Sequence, residues 1–158
     1  MANFTELDRY LFGQATHYEI YRKLGAHFTE EKGVKGVCFD LWAPNARRVF
    51  VIGTFNGWDE GAHEMKRLEP ETMGIYELFI PGLKEGDLYK YLIETNDGRR
   101  LYKADPYANY AELRPGTASA VADIDHFKWT DSKWMTARAA EEDVYAQPMA
   151  IYEVHPGS

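Results

Sequence analysis

Trp58 stands in Phe55-Asn56-Gly57-Trp58-Asp59, a run with the chemistry of a turn, directly after the apolar stretch Val49-Phe50-Val51-Ile52. An indole normally buries up to about 250 Å², so a tryptophan placed in a turn points to a ligand surface. Its flat face can stack on the apolar face of a pyranose ring. The neighbouring amide of Asn56, together with a lysine, would hydrogen-bond the hydroxyls, as in a mostly apolar site with a few placed polar groups. That is sugar-binding chemistry. The other reading folds Trp58 back onto the edge of the sheet, because tryptophan and tyrosine are also enriched at protein interfaces.

Other chemistries lack a comparable pattern. His17, His27, His63, His126 and His155 show no ligand spacing, and the single cysteine, Cys38, cannot complete a zinc set, so no metal site is expected. Cys38 alternates with Val37 and Phe39 and reads as a small packing residue rather than a nucleophile. No phosphate-binding glycine loop appears, and no cofactor is expected. The chain has 25 acidic residues. Cleaving a glycosidic bond needs an acid and a nucleophile held about 5 Å apart, and nothing selects such a pair, so no catalytic residue is assigned.

The elements that must position Trp58 read as mainly β. Val37, Phe39 and Leu41 alternate with Cys38, Asp40 and Trp42, the period of a strand with one buried face. Pro44-Asn45 forms a corner, and Val49–Ile52 reads as a strand buried on both faces. From Val37 to about Val121, short stretches rich in Val, Ile, Tyr and Phe are separated by Gly, Pro and Asn-Asp-Gly clusters, the pattern of an antiparallel sandwich. Asn96-Asp97-Gly98 is a hairpin turn joining residues 88–94 to 100–103. The expected core comprises Phe39, Leu41, Val49, Val51, Tyr76, Leu78, Tyr89 and Tyr91.

Short helices flank this region. Thr5-Glu6-Leu7-Asp8 resembles a capping box, with Phe4, Leu7 and Leu11 at helical spacing before Gly13. Tyr18, Tyr21 and Leu24 suggest a second short helix stopped by Gly25, after which Gly33 and Gly36 open the β region. Beyond Asp131, the run of Trp134, Met135, Arg138 and alanines suits a helix capped by Asp131 or Ser132, and Pro148 leads into an extended Ile151–His155.

With 158 residues, the chain has room for one domain with short extensions. Eighteen basic against 25 acidic residues give a formal charge of −7, which repels phosphate backbones and anionic lipid surfaces. Neither nucleic acid nor a membrane is expected as a partner. The lone cysteine, the absence of a charged-then-apolar leader and the lack of any apolar run near about 20 residues favour the cytoplasm.

Trp42-Ala43-Pro44, the strand that follows and Gly53-Thr54-Phe55-Asn56-Gly57-Trp58 resemble the family 48 carbohydrate-binding modules, whose pattern is a Trp-Ala-Pro corner, an apolar strand and Gly-x-Phe-Asn-x-Trp. Ile75–Gly82, Leu88-Tyr89-Lys90-Tyr91 and Lys103-Ala104-Asp105-Pro106-Tyr107 are similar to the module's later stretches. Tyr10-Leu11-Phe12-Gly13 and Tyr21–His27 resemble the lead-in of bacterial 1,4-α-glucan (glycogen) branching enzymes. Trp134–Ala140 and Pro148–Ser158 resemble their linker and first barrel strand. The resemblance implies an immunoglobulin-like antiparallel β-sandwich with short N- and C-terminal helices. Its divisions are a helical lead-in at 1–33, the sandwich at 34–125, a helical linker at 126–150 and the first strand of a truncated catalytic barrel at 151–158.

By the same resemblance, the complete enzyme transfers α-1,4-glucan segments to C6 hydroxyls by retaining chemistry, with its catalytic carboxylates on later barrel strands. This chain alone is expected to be inactive, and its partners would be α-glucan and its own barrel. Lys90 matches the lysine that contacts sugar in binding members, beside Trp58 and Asn56. Where those members place a second tryptophan, this chain has Arg99-Arg100-Leu101-Tyr102, and Tyr102 is the substitute; the family's later asparagine is not apparent in residues 115–120. Pro156 stands where a leucine is usual. The rival readings are a module of a debranching or trehalose-forming relative and a structural domain that binds no glucan.

Overall fold

The computed structural model describes residues 3–70, 73–141, 143–146 and 148–157. Residues 1–2 of the expected lead-in, 71–72 of the sandwich, 142 and 147 of the linker and 158 of the barrel strand lie outside the described residues. Two compact units, residues 1–125 and 126–158, follow from the contacts within the chain.

In the first unit, two antiparallel sheets face one another. The first contains β1 (Gly25–Glu31), β2 (Val34–Trp42), β5 (Ile75–Pro81) and β4 (Lys66–Arg67), in the order β1-β2-β5-β4. The second runs β3-β6-β9-β8, from β3 (Ala46–Gly53), β6 (Leu88–Thr95), β9 (Ser119–Ala120) and β8 (Tyr110–Ala111), with β7 (Arg100–Lys103) also paired to β6. Alternate residues from both sheets fill the space between them: Val37, Phe39 and Leu41 of β2 and Tyr76 of β5 meet Val49 and Val51 of β3 and Tyr89 and Tyr91 of β6. The mainly β, sandwich reading therefore holds. Leu78 alone of the expected core is only half-buried, packed against the cluster from its margin.

Buried tyrosines need partners for their hydroxyls. Tyr76 donates to the Ala46 carbonyl at 2.7 Å. Tyr89 and Tyr91 both donate to Asp105 Oδ2, at 2.7 and 3.2 Å. The aspartate of the Asp-Pro-Tyr stretch thus serves as an internal acceptor, held in turn by the Tyr107 N–H on Oδ1 at 2.8 Å.

The corner after β2 passes the chain from one sheet to the other. The Ala46 N–H bonds the Ala43 carbonyl at 3.0 Å, and Pro44 lies against Gly74, where a Cβ would come within 2.4 Å of the Pro44 Cα. At the other hairpin, Glu94 faces Arg100 across a turn whose Gly98 has φ +83°, the left-handed conformation that the Asn-Asp-Gly signal anticipates.

Three expectations for the N-terminal region are corrected. The sheet begins at Gly25 rather than residue 34. Residues 25–31 form β1 on the edge of β2, and Lys32-Gly33, at φ +51° and +82°, is their two-residue hairpin turn. The helix expected from Tyr18 to Leu24 is one 3₁₀ turn, Ile20–Arg22, too short to sustain a helical face. And β2 is buried on both faces: Cys38 and Asp40 are as inaccessible as Val37 and Phe39. The residues that cover them arrive from far away in the chain. Asn3 Nδ2 donates to Asp40 Oδ2 at 2.8 Å, and the Asn3 N–H to Glu77 Oε2 at 2.8 Å. Phe4, Leu24, Leu68 and Ile75 form a second apolar cluster.

Helix α1 (Glu6–Gly13) follows with the reciprocal cap in place. Asp8 N–H bonds Thr5 Oγ1 at 3.2 Å, and Thr5 N–H bonds Asp8 Oδ2 at 2.8 Å. Its Phe12 packs against the cluster containing Phe4, whereas Leu7 is 64% exposed. Burial would raise the Asp8 carboxyl, but bonds from Thr5, His17 and Lys23 outweigh it and hold Asp8 well below the usual carboxylate range.

The second unit carries helix α2 (Ser132–Ala139), with Arg138 over the Trp134 ring at 5.1 Å. Asp131 occupies the cap position without a side-chain cap bond. Residues 151–155 pair with no strand among the described residues, and Ile151 and Tyr152 are exposed. As the first strand of a barrel, this segment would need neighbouring strands to form a ladder.

Candidate functional site: an aromatic-walled cleft on the outer face of the second sheet

Strand period and pairing register assemble the site. In β6, Tyr89 and Tyr91 point into the core, so Lys90, Leu92 and Glu94 share the outer face. Register places Ile52 opposite Lys90, Phe50 and Tyr102 on either side of Leu92, and Arg48 and Arg100 on either side of Glu94. Phe50, Ile52 and Leu92 make a small buried apolar cluster of their own. Charged residues border it. Arg100 binds Glu94 at 3.0 Å and Glu60 at 2.6 Å, and Arg48 lies over the Phe50 ring at 4.7 Å while pairing with Glu64.

On this face opens a cleft of about 420 Å³, lined among others by Ile52, Trp58, Glu60, Lys90, Tyr102 and Thr117. Trp58 is 38% exposed. Lys90 Nζ donates to Thr117 Oγ1 at 2.6 Å, which holds the ammonium toward the loop between β8 and β9. Of the four residues singled out from sequence, Trp58, Lys90 and Tyr102 meet in this cleft.

Asn56 does not line it. Its carbonyl oxygen accepts the Gly53 N–H at 2.9 Å and the Trp58 N–H at 3.1 Å, and its amide donates to the Val51 carbonyl at 3.2 Å and to His63 Nδ1 at 2.9 Å. An Asn amide has two donors and two acceptor sites, so every one is engaged within the protein. The expected sugar contact is corrected to a turn-forming residue. The turn needs it: Gly57 and Trp58 both adopt the left-handed conformation, at φ +64° and +63°, which costs a residue with a Cβ about 1–2 kcal/mol.

Sequence reasoning missed Glu60, Thr117 and Glu112. Glu112 Oε2 accepts the Ala118 N–H at 3.0 Å and so shapes the loop that carries Thr117. Strands β8 and β9 have two residues each, too few for periodicity to mark. A signal did exist for Tyr102. With the Asn96-Asp97-Gly98 turn placed, the pairing of Glu94 with Arg100 puts Tyr102 on the face of Lys90.

Away from this cleft, the ligand atoms of Cys38, Asp40 and Glu77 lie within 4.8 Å of one another. The cluster is an internal hydrogen-bonded knot: Cys38 Sγ faces Asp40 Oδ2 at 3.5 Å, and burial pushes the thiol well above its ordinary range, away from the thiolate that metals bind.

Two facing antiparallel sheets with a tryptophan-and-tyrosine cleft on one outer face define an immunoglobulin-like β-sandwich module of the carbohydrate-binding type. Residues 23–108 match carbohydrate-binding module 48 (isoamylase N-terminal domain), more than half of the chain, and the chain belongs to that family. It is similar to a 1,4-alpha-glucan branching enzyme of Butyrivibrio fibrisolvens, 62% identical over 154 residues, 98% of this chain and 24% of the relative. It is also similar to one of Prochlorococcus marinus (strain MIT 9303), 48% identical over 153 residues, 97% and 20%. The chain thus spans about a quarter to a fifth of the length of these curated relatives. Among solved structures, a pullulanase complexed with maltotetraose from Anoxybacillus sp. LM18-11 superposes with a TM-score of 0.51 at 27% identity, over 63% of this chain and 14% of that one.

Proposed function

We propose that this module binds neutral α-glucan in the cleft on the outer face of the second sheet and serves as the N-terminal part of a 1,4-α-glucan branching enzyme. The observation that carries the reading is the convergence of Trp58, Lys90 and Tyr102 on one open cleft. Trp58 offers the stacking face, Lys90 and Thr117 offer polar groups for the hydroxyls, and the buried Phe50–Ile52–Leu92 cluster holds the sheet beneath them rigid. Branching-enzyme relatives along nearly the whole chain support the parent activity, transfer of α-1,4-glucan segments to C6 hydroxyls. In that parent the module would hold or orient the polymer beside its own barrel.

The cytoplasm is the compartment we assign. Cys38 is a free buried thiol, and no helix among the described residues is long and apolar enough to cross a membrane.

One stacked ring and a few solvent-competed hydrogen bonds, each worth about 0.5–1.5 kcal/mol, give an affinity of about 1 mM. NMR titration of the chain with maltoheptaose tests the reading. Shifts should centre on Trp58, Lys90 and Thr117 and vanish in Trp58→Ala. Unchanged binding by that variant overturns the site.

A further inference from the structure

Tyr102 reaches the cleft on a two-part lock. Its hydroxyl donates to Glu60 Oε1, and the other carboxylate oxygen, Oε2, accepts Arg100 Nη1 at 2.6 Å. Arg100 is fixed from the far side by Glu94, which is buried and lies directly across the ladder from it. Glu60 comes from the segment after the Trp58 turn, about forty residues earlier in the chain, so one carboxylate ties the turn bearing Trp58 to the strand bearing Tyr102. Without it, Tyr102 is a half-exposed side chain free to swing about two χ angles. With it, the ring is held as a wall of the same cleft whose other aromatic wall is Trp58.

We propose that Glu60 is the positioning residue of the glucan cleft, fixing the Tyr102 ring as a second stacking wall opposite Trp58. The inference rests on the glucan-binding reading above and adds to it the group that organises the Tyr102 contact. Arg100 neutralises part of the carboxylate's charge. Lys90 lines the same cleft, so a glucose unit between the walls meets a cationic donor at Lys90 and an anionic acceptor at Glu60, a pairing that suits the neutral hydroxyls of a sugar. The phenol also reports on the lock: its bond to Glu60 raises the Tyr102 hydroxyl above its ordinary range.

The test is a maltoheptaose titration, followed by NMR, of the parent chain, Trp58→Ala, Glu60→Ala, Glu60→Gln, Tyr102→Phe and the double variant Glu60→Ala/Tyr102→Phe. Glu60→Ala and Tyr102→Phe should each weaken binding about tenfold, as expected for losing a positioned contact. The double variant should be no worse than either, because both changes break the same link. Glu60→Gln, which keeps an acceptor for the phenol, should recover most of the affinity. Glu60→Ala should also lower the pH at which Tyr102 titrates, a change that a general loss of stability does not produce. If Trp58→Ala abolishes binding while Glu60→Ala and Tyr102→Phe bind as the parent does, the lock is wrong and the cleft stands. Additive losses in the double variant likewise overturn the lock. If the parent does not bind, or Trp58→Ala binds unchanged, the cleft reading fails and the inference fails with it.

Discussion

The side-chain carbonyl of Asn56 accepts the backbone N–H of Trp58 at 3.1 Å, while the indole of Trp58 projects into the cleft. The two residues therefore divide the work of the turn, one shaping the backbone and the other presenting the surface. Asn56 acts on the geometry of the turn and is not part of the cleft lining.

Replacing Asn56 by alanine removes four internal hydrogen bonds and leaves the left-handed pair Gly57-Trp58 without its support. The expected cost is about 1–3 kcal/mol, measured by urea denaturation, together with a shift in Trp58 fluorescence in the folded protein. A variant within 0.5 kcal/mol of the parent, on the usual scale of neutral surface changes, would show that the turn holds itself.

Asp105 is the shared acceptor of two fully buried tyrosine hydroxyls, and its own burial raises its carboxyl above the ordinary range. Asp105→Ala strands both hydroxyls and should destabilise the sandwich by about 3 kcal/mol or more, whereas Tyr91→Phe removes the weaker bond and should cost about 1 kcal/mol. Thermal unfolding of the two variants side by side checks the order. Equal losses would mean that the bond from Tyr89 adds nothing to the one from Tyr91.

Asp40 governs a pH dependence centred on the N-terminal segment. Burial first, and then the charge of Glu77, push its carboxyl from 3.8 up to about 7, against the lowering effect of the Asn3 amide. Oδ1 of Asp40 is buried without a hydrogen-bond partner, and protonation supplies one by turning an acceptor into a donor. Because the folded value lies above the unfolded one, the stability contributed by this group is complete below about pH 4 and is lost as the pH rises through 7. Lys66 of β4 and His27 of β1 stand across the ladders from Glu77 and Cys38. Asp40→Asn, which retains the carbonyl for Asn3, should flatten the stability curve between pH 4 and 8 relative to the parent and gain about 2–4 kcal/mol at pH 8. Parallel curves for the two proteins would place the titration elsewhere.

Gly53 ends β3 where the turn begins, and a Cβ there would stand 2.2 Å from the Leu88 carbonyl oxygen and 2.6 Å from the Phe55 ring. Its φ is extended, so the constraint is space rather than backbone conformation. Gly53→Ala must push β3 and β6 apart beside the cleft, with an expected loss of about 2 kcal/mol or more in urea denaturation and weaker maltoheptaose binding. Retention of both would show that the strands yield without consequence.

Local alternation determined much of this protein. The period-two stretches at 37–41 and 49–52 place Val37, Phe39, Val49 and Val51 inward, the Asn-Asp-Gly turn sets the hairpin from β6 to β7, and the neighbours of Lys90 send it outward. These are properties of adjacent residues, and the sequence displays them directly. Whether an outward face stays in water is a different matter. Cys38 and Asp40 alternate as solvent-facing residues should, yet both are buried, with Asn3 returning across the sheet to bond Asp40. Asn56 reads as a ligand group because its type suits one, yet Val51, Gly53, Trp58 and His63 together use all of its hydrogen-bonding capacity. The link from Glu60 to Tyr102 joins segments 42 residues apart and follows no spacing rule. It exists because strand register and the Trp58 turn deliver two side chains to the same place, and that coincidence of long-range packing is decided only by the tertiary structure.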